Sequence, residues 1–200
     1  MIENKYRYDK RTHSQFVKDI KIAHVKEAEI ALRLCVLINY KLLRWPKLIA
    51  KGTNYTGQYV NNNDVTLEED FEIEGTKVEI TKSDRVCQRV FHEKTSKIDY
   101  CIKSGSTLVF VNGLVELDKP KFIWLGTNEI ISFTEAARKK YGEVWNLGGG
   151  KTGPIKKSAY RYDLEWFAGK WEELPPLPKR LPKEYDSVLE VLNEANKDSR

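Results

Sequence analysis

Phe16, Ile20, His24, Glu27, Ala31, Leu34 and Ile38 follow one another at steps of three and four residues, which predicts one long helix over residues 14 to 43. Ser14 suits its N-cap, because a hydroxyl there accepts an orphan amide bond of the first turn. Pro46 stops the helix just beyond Trp45. The second half is apolar on several sides, at Ile30, Leu32, Leu34, Val36 and Leu37. A helix of that kind is buried rather than laid on a surface, so the rest of the chain must supply a layer to cover it.

That layer is legible as a series of short β-rich runs. Residues 71–73 (FEI) and 77–81 (KVEIT) flank Glu74-Gly75-Thr76, the pattern of a hairpin. Residues 107–111 (TLVFV), then Asn112-Gly113 and an apolar run to Leu117, give a second strand-turn signal, and residues 121–125 (KFIWL) a further strand. Tyr55, Tyr59 and Val60 suit a strand before an Asn-rich loop, and Tyr160 to Trp166 reads as an edge strand. Thr134 to Tyr141 predicts a short helix capped by Thr134 and closed near Gly142, and residues 146 to 157 a loop. The stretch from Asp84 to Lys103 has no decisive period. From Leu174 the chain is proline-rich, then amphipathic from Tyr185 to Asn196. The expected architecture is α/β or α+β, a mixed central β-sheet flanked by helices. Residues 1–172 form one domain, and residues 173–200 a proline-rich segment with a C-terminal helix.

Several function classes are excluded at this level. With 200 residues, one core can be closed without disulfides or a structural metal. Five Trp, ten Tyr and seven Phe argue against disorder. Cys35, Cys87 and Cys101 form no CxxC pair, so no zinc ribbon is offered. The N-terminus lacks the apolar core of a signal peptide, and the longest apolar stretch is far too short for a bilayer, so a soluble cytoplasmic protein without membrane partners is expected. A net charge of +5 permits contact with phosphates without requiring it.

The run Gly148-Gly149-Gly150-Lys151-Thr152 invites a phosphate-loop reading, but Trp145 stands where GxxxxGK[ST] needs its first glycine. Lys151, Lys156 and Lys157, with Arg161, suit a basic surface touching a nucleic-acid backbone. His13, His24 and His92 have no metal-ligand spacing; His92, beside Glu93, is the one to watch as a general base or a ligand. The tryptophans 124, 145, 166 and 171 with Tyr160 and Tyr162 would stack bases if exposed, and are expected to be core.

The hairpin is where chemistry concentrates. Alternation along a strand sends Val78 and Ile80 to one face and Lys77, Glu79 and Thr81 to the other. Asp70 opens the partner strand, close enough across the ladder to approach Glu79. Two converging carboxylates repel unless a cation lies between them, and hard oxygen ligands suit Mg²⁺ or Mn²⁺.

The order of helix, acidic strand, turn and the strand Lys77-Val78-Glu79-Ile80-Thr81-Lys82 resembles the PD-(D/E)xK superfamily of restriction endonuclease-like nucleases. Ile98-Asp99-Tyr100 and the strands at 107–111 and 121–125 also fit. The likeness covers about residues 20 to 126. It implies a core of helix, three strands, a connecting segment and a further strand. It also implies a Mg²⁺-dependent (or Mn²⁺-dependent) DNA endonuclease of a phage or bacterial defence or DNA-processing system. Asp70 and Glu79 would be metal ligands, with the Ile80 carbonyl, and Glu27 or Glu29 would supply an outer carboxylate. Such nucleases often act as homodimers. The family lysine belongs at Thr81 and is absent. Lys77 shares the face of Glu79, whereas Lys82 would need a β-bulge to do so. Two other readings stand beside this one. The same architecture would bind nucleic acid or protein without cutting, or the tail after Leu174 would dock a protein partner and the hairpin would be ordinary surface.

Overall fold

A computed structural model describes residues 13–51, 69–142, 145–147 and 157–197. The long helix α1 (His13–Leu42) is followed by β1 (Leu48–Ala50), β2 (Phe71–Ile73) and β3 (Thr76–Ser83). Next come β4 (Val90–Lys94), α2 (Thr95–Ser104), β5 (Thr107–Asn112), β6 (Lys121–Leu125) and α3 (Thr127–Tyr141). The chain ends with β7 (Trp145–Leu147), β8 (Lys157–Asp163), β9 (Glu172–Glu173) and α4 (Asp186–Lys197). The protein is mixed α/β, built on an open six-stranded sheet in the order β1-β2-β3-β5-β6-β9. Only β3 and β5 run parallel; every other neighbouring pair is antiparallel. A second, three-stranded sheet has the order β4-β8-β7.

The hairpin forms as the sequence predicts. Phe71 pairs with Val78 and Ile73 with Thr76. The two turn residues, Glu74 at φ 51° and Gly75 at φ 78°, both lie in the left-handed region. That is the backbone of a two-residue turn matched to strand twist. Val78 and Ile80 are buried against α1, in a core that includes Ile30, Leu34, Val109 and Val111. Burying each such aliphatic side chain contributes about 1.5–3 kcal/mol. The opposite face of the sheet carries Leu108, Phe110 and Ile123, covered by Ile98 and Cys101 of α2, Ile130 of α3 and the second sheet. Phe91 of β4 stacks on Phe110 at 4.1 Å and on Tyr162 of β8 at 4.9 Å.

Several expectations are corrected. The undecided stretch 84–103 contains a strand and a helix that abut without a loop. The run after Gly113 is a turn, not a strand. The helix placed at 134–141 begins at Thr127: Glu129 returns its carboxylate to the Gly126 amide, and Thr134 is buried in mid-helix with its hydroxyl on that of Tyr162. Asn146 and Leu147, placed in a loop, belong to β7. The strand read at 160–166 spans Lys157–Asp163 and is the central strand of its sheet, not an edge. Residues 55–60 lie outside the described residues. The tail is packed on the domain: Leu174, Tyr185 and Val188 complete the core beneath α1, and α4 lies along that helix. No helix among the described residues is long and apolar enough to cross a membrane.

Candidate functional site

The site grows from the point where β2 parts from β3. Main-chain pairing between them ends at Phe71 and Val78. Beyond it the Ile80 amide faces the gap that β2 has left, and the Asp70 carboxylate fills that gap. Asp70 Oδ2 accepts the Ile80 N–H at 2.7 Å, while its own carbonyl holds the Lys51 amide at 3.0 Å. In an extended strand a residue's carbonyl points to the same side as its amide. The Ile80 carbonyl therefore faces the same notch, and it accepts the Lys97 ammonium at 2.8 Å. Glu79, on the other face of β3, brings Oε1 to within 2.7 Å of the same ammonium.

Lys97 comes from the first turn of α2, beside Ile98 and one turn before Cys101, both fully buried. Those two anchors fix the helix against β5 and turn the lysine into the notch. Asp70, Glu79, Glu93 and Glu27 all act on it and hold its pKa well above the ordinary lysine value, against the pull of burial. Burial pushes the Asp70 and Glu79 carboxyls up to about 7, and mutual repulsion adds to the rise at Glu79. Burial also drives the neighbouring Cys101 thiol up to about 12. Glu79 is 6% exposed, and its Oε2 is buried without a hydrogen-bond partner. Asp70, Glu79, Glu93 and Glu27 act on Lys97, and Lys82 acts on Asp70 as well.

The site residues expected from sequence divide into three groups. Asp70, Glu79 and Ile80 converge. Lys82 does not join them: β3 keeps an unbroken register against β5 from Val78 to Ser83, so no bulge turns it round. It points to the α1 face and binds Glu27 at 3.0 Å. Lys77 is nearly half exposed and lies 4.0 Å from Glu69. Of the two helix carboxylates, Glu27 acts on Asp70 and Lys97, whereas Glu29 pairs with Arg33 along α1 at 2.7 Å. Arg161 lies over the Tyr141 ring at 4.5 Å, opposite His92 in the second sheet. Lys151 and Lys156 lie outside the described residues, and Lys157 is the first residue of β8.

Sequence reasoning missed Lys97 and Glu93. The stripe Lys97, Ile98, Cys101 is the signal that was there to find, one turn of helix with a cation beside two apolar anchors. A second tie from the same helix steadies the site: the Tyr100 hydroxyl donates to Glu69 Oε2 at 2.8 Å, next to Asp70. Among the described residues, no group of three or more His, Cys, Asp and Glu side chains is placed to hold a metal ion by itself. No known protein family matches the chain, and no curated protein or solved structure does so either.

Proposed function

We propose that this protein is a divalent-cation-dependent endonuclease that hydrolyses phosphodiester bonds in DNA, on a restriction endonuclease-like architecture. The observation that carries the reading is that Glu79 and the Ile80 carbonyl meet on one cationic atom, Lys97 Nζ, while the Asp70 carboxylate is held beside them on the Ile80 amide, at the notch between β2 and β3. The element order supports it. Helix α1, the strands β1, β2 and β3, then β4, helix α2 and the strand β5 parallel to β3 follow one another in an order compatible with the core that the sequence resemblance implies.

The donor set fits Mg²⁺ or Mn²⁺. Such ions are commonly held by one or two carboxylates, with water and phosphate oxygens completing the shell, so a third carboxylate is not required. Glu79 Oε2, buried and unpartnered, is a ligand atom without a present task. Asp70, Glu79 and the Ile80 carbonyl would hold the ion. Once bound, it would lower the pKa of an attacking water and offset charge on the phosphodiester. The chain's own residues do the rest. The Ile80 amide fixes the Asp70 carboxylate, and Lys82 fixes Glu27. Lys97 supplies the cationic side chain that the family pattern places at Thr81, where an ammonium stabilises developing negative charge.

A second reading is a non-cutting nucleic-acid or protein binder of the same architecture. The threonine at position 81 favours it. Plasmid cleavage in Mg²⁺ or Mn²⁺, abolished by EDTA and reduced at least about a hundredfold in Glu79→Ala and Asp70→Ala, is the expected result. Undiminished cleavage in both variants sinks the assignment. A DNA mobility shift in EDTA, without cleavage in any metal, transfers support to the binder.

A further inference from the structure

Lys97 occupies two of the three groups that a divalent cation would need. Its ammonium touches Glu79 Oε1 and the Ile80 carbonyl, and Asp70 exerts the strongest attraction on it. Two cations cannot share those contacts, because at ionic-contact distance in a largely buried site their repulsion is large. We infer that a divalent cation enters this site by displacing the Lys97 ammonium, which serves as the resident counter-ion until then. The inference rests on the nuclease reading for the identity of the site.

Three features make the exchange feasible. The lysine side chain keeps 21% exposure and has a flexible four-carbon stem, so it can leave while α2 stays. Ile98 and Cys101, both fully buried, hold that helix in place. Glu93, next in influence on Lys97, remains to receive the ammonium once Asp70 and Glu79 are taken, which keeps its charge beside the site. Lys82 plays no such part, since its contact is with Glu27 and not with the ligand atoms. The coupling is reciprocal: whatever the cation does to the lysine, the lysine does to cation affinity.

The test is calorimetric titration of Mn²⁺ at pH 8, without nucleic acid, into the full chain and its Lys97→Met and Glu79→Gln variants. The expected result is binding about tenfold or more tighter in Lys97→Met than in the parent, and at least about tenfold weaker in Glu79→Gln. Equal or weaker binding in Lys97→Met, with binding still lost in Glu79→Gln, overturns displacement and leaves the metal site standing. No Mn²⁺ binding by either the parent or Lys97→Met overturns both. Should Lys97→Met fail to fold, ¹⁵N spectra of lysine ammoniums in the parent decide the matter. Lys26, Lys41, Lys140 and Lys170 are hydrogen-bonded as well, so the charge-keeping Lys97→Arg and Lys82→Met identify the two signals. Saturating Mg²⁺ should shift or abolish the Lys97 signal and spare that of Lys82; an unchanged Lys97 signal overturns the inference.

Discussion

Replacing Lys97 by methionine keeps most of the side-chain volume and removes the one cation that Asp70 and Glu79 share. Breaking a buried ion pair from one side costs about 3–5 kcal/mol when the remaining charge cannot escape. Here escape is available through protonation, and the lysine is partly exposed, so the loss should depend on pH. At pH 8 in EDTA Glu79 is left without its ion-pair partner and Asp70 without the attraction of Lys97, and we expect a loss of about 3 kcal/mol. At pH 5 both can take up protons, and what remains is chiefly the lost bond to the Ile80 carbonyl, about 1 kcal/mol. Urea denaturation of parent and variant at the two pH values measures this. Adding Glu79→Gln to the variant should recover at least about 1 kcal/mol at pH 8, as a coupled pair requires. A loss of the same size at both pH values, with no recovery in the double variant, would refute the shared-cation account.

Other outcomes follow from the same geometry. In EDTA the parent should become less stable as pH rises from about 4.5 to 7.5. The folded protein keeps protons on Asp70 and Glu79 up to about pH 7, whereas the unfolded chain releases them near 4, so each step up in pH favours unfolding. Saturating Mg²⁺ should flatten that slope, and thermal melts across the range read it directly. Tyr185→Ala should cost about 3–5 kcal/mol by urea denaturation, because the ring is buried edge-on to Trp45 and its hydroxyl holds the Pro46 carbonyl. A change below about 0.5 kcal/mol would mean that the tail is dispensable to the fold.

How far the sequence could be read depended on the range of the forces involved. The hairpin was legible because alternation at Val78, Glu79 and Ile80 and the Glu74-Gly75 turn are local properties. Asp70 and Glu79 followed from it. Lys97 was hidden because its place depends on a crossover that lays α2 against β3 and β5, which no local period reports. The junction at Lys94-Thr95 hid it further, since strand passes into helix with no Gly, Pro or loop to mark the change. Gly126 and Glu129 formed the cap of α3 while Thr134 offered a more conventional-looking one inside the helix. The position of β8 at the centre of its sheet was equally out of reach, because its partners β4 and β7 are chosen by tertiary packing.

The latch that Tyr185 makes on Pro46 spans 139 residues of chain. During synthesis at about 5–20 residues per second, the apolar flank of α1 therefore leaves the ribosome roughly 7–28 seconds before the segment that covers it. Strands β2, β3 and β5 can shield part of that flank earlier, but the ground beneath Tyr185 and Val188 must wait. The nascent chain should thus carry a greasy helix in search of a temporary cover. Premature release, or a stop codon shortly before position 185, would hand that helix to chaperones and proteases rather than to its own tail.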